Sequence, residues 1–312
     1  MNMRAYLQRV MTEGNWPAEA VESILAYYDR FATKEVCSQV LNKWLEAYRE
    51  DMKLNYLRAN EEVDTAAVSA GLGGYEAQLL LYLCLSRYLW DYYEKAGLPA
   101  EVCLASLEDL KWKAIECHHV YGVWGSFVAS WFAGFFRLTR FTLGRLQFEE
   151  IAFPEDYPAD GKLCEREIDV VLNMHIPSAG PLNREKCVES YKMAAEFWEK
   201  YYHRTSPVFC CLSWLLYPEH EKFLPETSNI LRFQRDFDIY TSWTDKEGED
   251  LWRIFGGMYD GHPENLAENT SLQKAYKQWL LDGNLPGEGR GFLKLSASAH
   301  LFHSIHPLIG GF

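Results

Sequence analysis

The stretch EIDVVLNMHIPSAGPLNREKCVESYKMAAEFWEKYY (Glu167–Tyr202) organises the second half of the chain. Its first part, Ile168 to Ile176, is apolar and β-branched, which is typical of a buried strand. After the loop from Pro177 to Pro181, Asn183 can cap a helix whose first turn carries the favourable Glu185. Apolar residues then recur at three- and four-residue spacing, so one helix face is expected to cover a sheet. They are Cys187, Tyr191, Ala194, Trp198 and Tyr201.

A second apolar run, Val208 to Leu216 (VFCCLSWLL), follows this helix and predicts a strand parallel to the first. Strand, helix and parallel strand form a right-handed crossover in nearly all proteins. The chemical interest lies in the loop, because free backbone N–H groups at a helix start can hold an anion such as phosphate. Many α/β proteins use such a unit only as scaffold, so the spacing alone leaves both roles open.

Composition restricts the class of protein. The 312 residues, 48% of them hydrophobic, are enough for two packed domains or one large one. The formal net charge of −13 argues against nucleic acid or an anionic membrane as the main partner. The N-terminus lacks the apolar core of a secretory signal, and the longest uncharged stretch, Val120 to Phe136, is too short for a membrane span. The eight cysteines are scattered without a C-x-x-C pair. We therefore expect a soluble, cytoplasmic protein.

The first 136 residues follow a helical pattern throughout. Thr33 is the expected cap of an early helix, and two longer helices are predicted over Tyr75–Lys95 and about Ala100–His118. The segment from Glu61 to Gly74 is polar and contains glycine, so it is expected to be a connection. The pattern predicts a helical N-terminal domain over residues 1–136.

The pattern changes after Phe136. Leu143 to Glu149 alternates apolar and polar residues, as in a half-buried strand. Further strands are predicted over Phe237–Trp243 and Leu251–Phe255, on either side of an acidic turn, and a last helix over about Leu272–Leu281. Residues 137–312 are therefore expected to form a mixed α/β domain.

Four segments of this second half resemble a bacterial family of acyltransferases. They are GRLQFE (Gly144–Glu149), NMHIPSAGPL (Asn173–Leu182), CLSWLL (Cys211–Leu216) and SNILRFQRDFDI (Ser228–Ile239). In that family a helical N-acyltransferase domain precedes a domain similar to the GNAT fold of N-acetyltransferases. The resemblance implies an α+β protein whose second domain has a central, mostly antiparallel sheet. It also implies an acyl-CoA-dependent N-acyltransferase, with acetyl-CoA or another acyl-CoA as co-substrate and a small amine as acceptor.

The resemblance further implies where the cofactor lies. The strand end at His175 and Ile176 would meet the pantetheine arm, while the loop and the following helix start would hold the pyrophosphate. The implied cofactor-binding residues are His175, Ile176, Ser178, Ala179, Gly180, Leu182, Asn183, Arg184 and Asn229.

Acyl transfer to an amine needs a base, an oxyanion donor and an acid for the leaving thiolate. His175 is the candidate base or donor, and Glu149 is the carboxylate that strand order places best. Ser213 and Tyr217 lie on or just beyond the next strand and are candidate proton donors. The structural alternatives remain open for each: a core histidine, a surface carboxylate, a small buried hydroxyl and a rim aromatic.

The loop departs from the common GNAT pattern. That pattern places a Gln or Arg before G-x-G or G-x-A, whereas here Gly180 is followed by Pro181, which has no N–H. Arg184 and Lys186 can supply positive charge in place of the missing donors. A loop with fewer donors also suits an alternative function, a non-catalytic module that binds a small molecule or a protein.

A second alternative is a metal-dependent hydrolase. His300, His303 and His306 have a three-residue spacing that can present imidazoles on one side of a helix. No acidic residue or cysteine accompanies them locally, and Pro307 follows at once, so no metal site is predicted.

Overall fold

The computed structural model describes residues 2–158, 161, 168–205 and 207–294. The chain divides between Phe141 and Thr142 into two compact units. Within the described ranges, none of the helices combines the length and hydropathy needed to cross a lipid bilayer.

The first unit is helical, as the sequence pattern predicts. Its helices are α1 (Met3–Glu13), α2 (Ala18–Thr33), α3 (Glu35–Glu50), α4 (Tyr56–Ser69), α5 (Gly74–Lys95), α6 (Ala100–Tyr121) and the short α7 (Ala133–Phe136). Helix α5 is buried on most sides, with every residue from Leu79 to Leu85 excluded from solvent. A helix that is apolar nearly all round is stable only inside a core.

Two expectations for this unit are wrong. The supposed connection from Glu61 to Gly74 is mostly helix α4, because the small residues Val63, Ala66 and Ala67 make a weak apolar stripe that is buried. Thr33 does not cap a helix. It is the last residue of α2, and its hydroxyl donates to the carbonyl oxygen of Arg30 at 2.7 Å.

The second unit is built on a six-stranded sheet. Its strands are β1 (Arg140–Leu143), β2 (Leu146–Ala152), β3 (Val170–His175), β4 (Phe209–Ser213), β5 (Phe237–Thr244) and β6 (Gly287–Leu293), in the order β1-β2-β3-β4-β6-β5. Strands β3 and β4 are parallel, whereas β2–β3, β4–β6 and β5–β6 are antiparallel. The helices are α8 (Arg184–Tyr202), α9 (Asn229–Gln234), α10 (Trp252–Phe255) and α11 (Ser271–Leu281). The predicted α+β class with a mostly antiparallel sheet is confirmed.

Three strand assignments differ from the sequence pattern. The predicted strand from Leu143 to Glu149 is found as β2 from Leu146 onward, but Leu143 belongs to β1, because Gly144, with φ of 69°, reverses the chain between the two strands. The segment from Leu251 to Phe255 contains the one-turn helix α10, with Leu251 buried against Tyr276. Strand β6 was not predicted at all, because alternating glycines are poor strand formers.

The crossover unit has the predicted form. Asn183 caps α8 by accepting a hydrogen bond from the N–H of Lys186 at 3.1 Å. The ring of Trp198 on α8 packs on Phe148 of β2, with the ring centroids 6.5 Å apart. Tyr191 of the same helix packs on Phe209 of β4, at 6.2 Å. Helix α8 therefore covers one face of the sheet.

Side chains alternate along a strand, so the opposite face carries a different set of residues. Strand register places Glu149 beside Asn173, Asn173 beside Cys210, and Leu212 beside Arg290. We call the surface formed by Glu149, Asn173, His175, Cys210, Leu212 and Arg290 the His175 face.

Candidate active site

Two residues that the sequence singled out meet on the His175 face. The Nε2 atom of His175 lies 2.7 Å from Oε1 of Glu149, and the two side chains are 17% and 18% exposed. They meet because Glu149 is paired with Asn173, two residues before His175 on the same face. Each side chain therefore keeps limited solvent access while holding the other in place.

Asn173 and Cys210 complete this group of side chains. The amide nitrogen of Asn173 lies 3.2 Å from Nε2 of His175, and its oxygen accepts from the Cys210 thiol at 3.7 Å. Burial raises the pKa of the Cys210 thiol to about 12, so the thiol stays protonated and can donate. With Nε2–H donated to Glu149, a neutral His175 ring carries its lone pair on Nδ1. Such a ring can act as a base.

The site lies where two central strands part. Strands β3 and β4 pair only at Leu172–Phe209 and Asn173–Cys210. Beyond these pairs, the register shows no pairing between the end of β3 at His175 and the end of β4 at Ser213. Backbone polar groups along this opening are therefore available to a ligand that runs between the strands.

The loop after β3 is held by Arg145, from the turn between β1 and β2. Its guanidinium donates to the carbonyl oxygens of Pro177, Gly180 and Pro181, at 2.8, 2.7 and 3.2 Å. The N–H of Arg145 donates to the hydroxyl oxygen of Ser190 on α8, at 2.6 Å. Burial lowers the pKa of Arg145, but a guanidinium remains charged at neutral pH.

This bracing leaves the loop N–H groups for another acceptor. Three loop carbonyls are bonded to Arg145, whereas the N–H groups of Ala179, Gly180 and Leu182 donate no hydrogen bond within the described part of the chain. Gly180 has φ of 92°, a conformation that favours glycine. Together with the start of α8, the loop has the donors that an anion requires.

Arg184, which the sequence suggested as a source of positive charge for the loop, is paired with a carboxylate. Its Nη2 atom lies 2.6 Å from Oδ1 of Asp236, a residue that is only 5% exposed. Burial raises the pKa of the Asp236 carboxyl, although the bond to Arg184 works in the opposite direction. The cation in contact with the loop is Arg145, which sequence reasoning missed. An arginine directly after the turn glycine Gly144 was the available signal.

The remaining candidates lie apart from the His175–Glu149 contact, and their roles stay predictions. Ser213 accepts a hydrogen bond from the N–H of Leu215 at 3.2 Å and starts a 3₁₀ turn. Tyr217 is buried, and its ring lies against Gly287. Asn229 is an exposed residue at the start of α9, next to the cap Ser228. Among the described residues, neither Ser213 nor Tyr217 shows a hydrogen bond to His175 or Glu149.

His300, His303 and His306, whose spacing raised the alternative of a metal-dependent hydrolase, lie outside the described residues. Within those residues, no cluster of three or more histidine, cysteine, aspartate or glutamate side chains is arranged to hold a metal ion.

Comparison with known proteins agrees with both halves of the architecture. Residues 5–138 match the N-acyltransferase N-terminal domain, and residues 140–293 match the GNAT-like C-terminal domain. A search among curated proteins finds no significant match.

Solved structures share the fold over most of the chain. An acyltransferase in complex with decanoyl-CoA and teicoplanin is 22% identical, with a TM-score of 0.71 over 92% of this chain and 87% of that chain. A mutant acyltransferase in complex with octanoyl-CoA gives the same values. An acyltransferase in complex with decanoyl-CoA is 23% identical, with a TM-score of 0.70 over 91% and 86% of the two chains. The chain therefore belongs to the family of GNAT-like acyltransferases, in which an N-acyltransferase N-terminal domain precedes a GNAT-like C-terminal domain.

Proposed function

We propose that this protein transfers an acyl group from a coenzyme A thioester to an amine. The observation that carries the proposal is the His175–Glu149 contact of 2.7 Å, at the point where β3 and β4 part. His175 is a candidate base at the end of β3, where β3 and β4 part, and it lies directly before the loop that carries N–H donors. This arrangement suits acyl-CoA, which is a long anionic molecule with a reactive thioester at one end.

The loop and the helix start would hold the pyrophosphate. The donors in this proposal are the backbone N–H groups of the loop and of the first turn of α8, namely those of Ala179, Gly180, Leu182, Arg184 and Glu185. Arg145 keeps the loop carbonyls turned away from the phosphate oxygens. The pantetheine arm would then lie along the β4 side of His175 and Ile176, beyond the last pair between β3 and β4.

The proposed reaction uses His175 twice. Its neutral ring removes a proton from the acceptor ammonium, whose nitrogen then attacks the thioester carbonyl carbon. The C–S bond breaks, the imidazolium returns the proton to the departing thiolate, and the new amide nitrogen loses its second proton to solvent. Ser213 and Tyr217, the acids that the sequence suggested, lie on the opposite face of the sheet, where Tyr217 packs against Gly287.

The proposed donor carries a long acyl chain rather than an acetyl group. The similar solved structures contain octanoyl-CoA and decanoyl-CoA, not acetyl-CoA. One of them also contains teicoplanin, so an acceptor screen should include glycopeptide amines beside small amines.

Calorimetric titration with free CoA, acetyl-CoA, octanoyl-CoA and decanoyl-CoA tests the cofactor site. We expect micromolar binding, weakened about tenfold or more by Arg145→Met, which removes all three bonds to the loop. Gly180→Asp should weaken binding similarly, because it adds a negative charge and strains the backbone. Arg9→Met, on exposed α1, is the matched control and should bind like the wild type.

Arg184→Glu is unsuitable as a variant, since it would face the buried Asp236 carboxylate. Absence of binding with every thioester would contradict the proposal and would favour a non-catalytic binding module. Binding that Arg145→Met leaves unchanged would place the cofactor elsewhere.

A further inference from the structure

An exposed leucine lies in the middle of the sheet. Leu212 belongs to β4, which has β3 on one side and β6 on the other, yet its residue is 37% exposed. An antiparallel sheet commonly has one face in contact with solvent, but that face ordinarily carries polar side chains, so an exposed leucine there is unusual. The His175 face is therefore open to solvent at this level.

The register places Leu212 across the opening from His175. Asn173 pairs with Cys210, and two residues further along each strand come His175 and Leu212, with side chains on the same face. The neighbour of Leu212 on its other side is Arg290, whose guanidinium lies 2.6 Å from Oδ1 of Asp156. The apolar side chain thus stands between the candidate base and an ion pair.

One step deeper along the strands, the same face is closed. Phe292 lies beside Cys210 and is 3% exposed, and aromatic rings pack over it. The ring centroids of Phe153, Tyr157 and Tyr240 lie 5.4, 5.1 and 5.5 Å from that of Phe292. An acyl chain that extends from His175 cannot enter the sheet face at Phe292, because the aromatic rings fill that space. It would instead lie on the exposed side chain of Leu212, next to this aromatic cluster.

The other face offers no such route. Leu215 and Leu216 are buried on the 3₁₀ turn after β4, and an added Cβ on Gly289 would lie 2.2 Å from the carbonyl oxygen of Leu216. Together with the cover provided by α8, this close packing shuts that side of the sheet. An acyl chain whose carbonyl is within reach of His175 therefore has its apolar contact on the His175 face.

We propose that Leu212 is the side chain against which the acyl chain lies next to the thioester, and that it makes the site prefer long acyl groups over acetyl. This inference rests on the function proposed above and adds a specificity-determining residue to it. A chain of several methylene groups can cover the exposed leucine, whereas the acetyl methyl group is too short to cover it fully. Apolar contacts of this size change affinity about tenfold or more.

The test compares the affinities of octanoyl-CoA and free CoA for three proteins. We expect the wild type to bind octanoyl-CoA more tightly than CoA, and Leu212→Ser to lose most of that difference, about tenfold, while its CoA affinity stays unchanged. The control is Leu285→Ser, because Leu285 is equally 37% exposed but lies in the segment between α11 and β6. It should keep the wild-type difference.

The outcomes distinguish the proposed role of Leu212 from the proposed acyl-CoA site. If the difference between octanoyl-CoA and CoA is the same in all three proteins, Leu212 does not contact the chain, while the proposed cofactor site stands. If Leu212→Ser weakens CoA and octanoyl-CoA equally, the contact is with the CoA moiety and the inference is overturned. If the wild type binds none of these ligands, the proposed function fails and the inference fails with it.

Discussion

At the scale of single residues, His175 and His220 illustrate two opposite uses of an imidazole. His175 keeps some exposure, and its Nε2 atom contacts a carboxylate. His220 is fully buried, contacts the Tyr276 hydroxyl through Nε2, and is surrounded by aromatic rings. The first environment supports proton transfer, whereas the second excludes a charged ring.

Replacing His175 tests its catalytic role. We expect His175→Ala to lower kcat by about 10²–10⁴ while leaving the melting temperature nearly unchanged, because the side chain is partly exposed. An unchanged kcat would remove His175 from the mechanism.

His220 predicts a pH dependence of stability. Burial lowers its pKa from 6.5 to about 4, so folding favours the neutral ring. The free energy of unfolding is then highest above pH 6.5 and falls as the pH drops towards 4, by about 3 kcal/mol. Denaturant unfolding between pH 7.5 and 4.5 measures this slope.

In the variant His220→Gln, the glutamine amide can still form a hydrogen bond with the Tyr276 hydroxyl, but it has no group that titrates. This variant should show a shallower slope than the wild type over that range. The exposed His262 provides the control, since His262→Gln should keep the wild-type slope. Equal slopes in all three proteins would exclude His220 as the cause.

At the scale of elements, β6 shows how glycine can serve a strand. An added Cβ on Gly287 would lie 2.5 Å from the Tyr217 ring, and one on Gly289 would lie 2.2 Å from the carbonyl oxygen of Leu216. The alternating glycines thus allow the segment after β4 to lie directly on the sheet. On the other face, the same strand presents Arg290 and Phe292.

A methyl group at Gly289 should therefore disrupt this contact. We expect Gly289→Ala to lower the free energy of unfolding by about 2–4 kcal/mol, because the obstructing atom belongs to the backbone and cannot rotate away. Gly257→Ala is the control, since no atom lies within 4 Å of a Cβ built there. Comparable stabilities of the two variants in denaturant unfolding would contradict this account.

At the scale of the whole molecule, the net negative charge is expected to affect the association rate of an anionic cofactor. The net charge of −13 repels an anionic acyl-CoA at long range, whereas the loop N–H groups and Arg145 act only at short range. Raising the salt from about 0.01 M to 0.1 M shortens the screening distance from about 30 Å to 10 Å. We expect the association rate of CoA to increase about twofold or more, as measured by stopped-flow mixing. A decrease would show that local positive charge governs the approach.

Local patterns in the sequence determined much of this protein. The strand–loop–helix–strand unit, the cap at Asn183 and the buried face of α8 all follow from residue order and periodicity, whereas the register of β2 on β3 brings the two separate candidates His175 and Glu149 into contact. Helix α4 and strand β6 were not predicted, because alanines and glycines give only a weak apolar pattern in the sequence. Both elements are stabilised by the neighbouring elements that pack on them.

Only the tertiary structure decided the contacts between residues that are far apart in the sequence. Arg145 reaches a loop more than thirty residues away, and Arg184 turns instead to Asp236, fifty-two residues further on. The exposure of Leu212 depends on strands that part after two residue pairs. Periodicity reports which face of an element a residue occupies. Only the folded chain settles which distant charge or ring lies opposite that face, because packing and hydrogen bonding select it from many local alternatives.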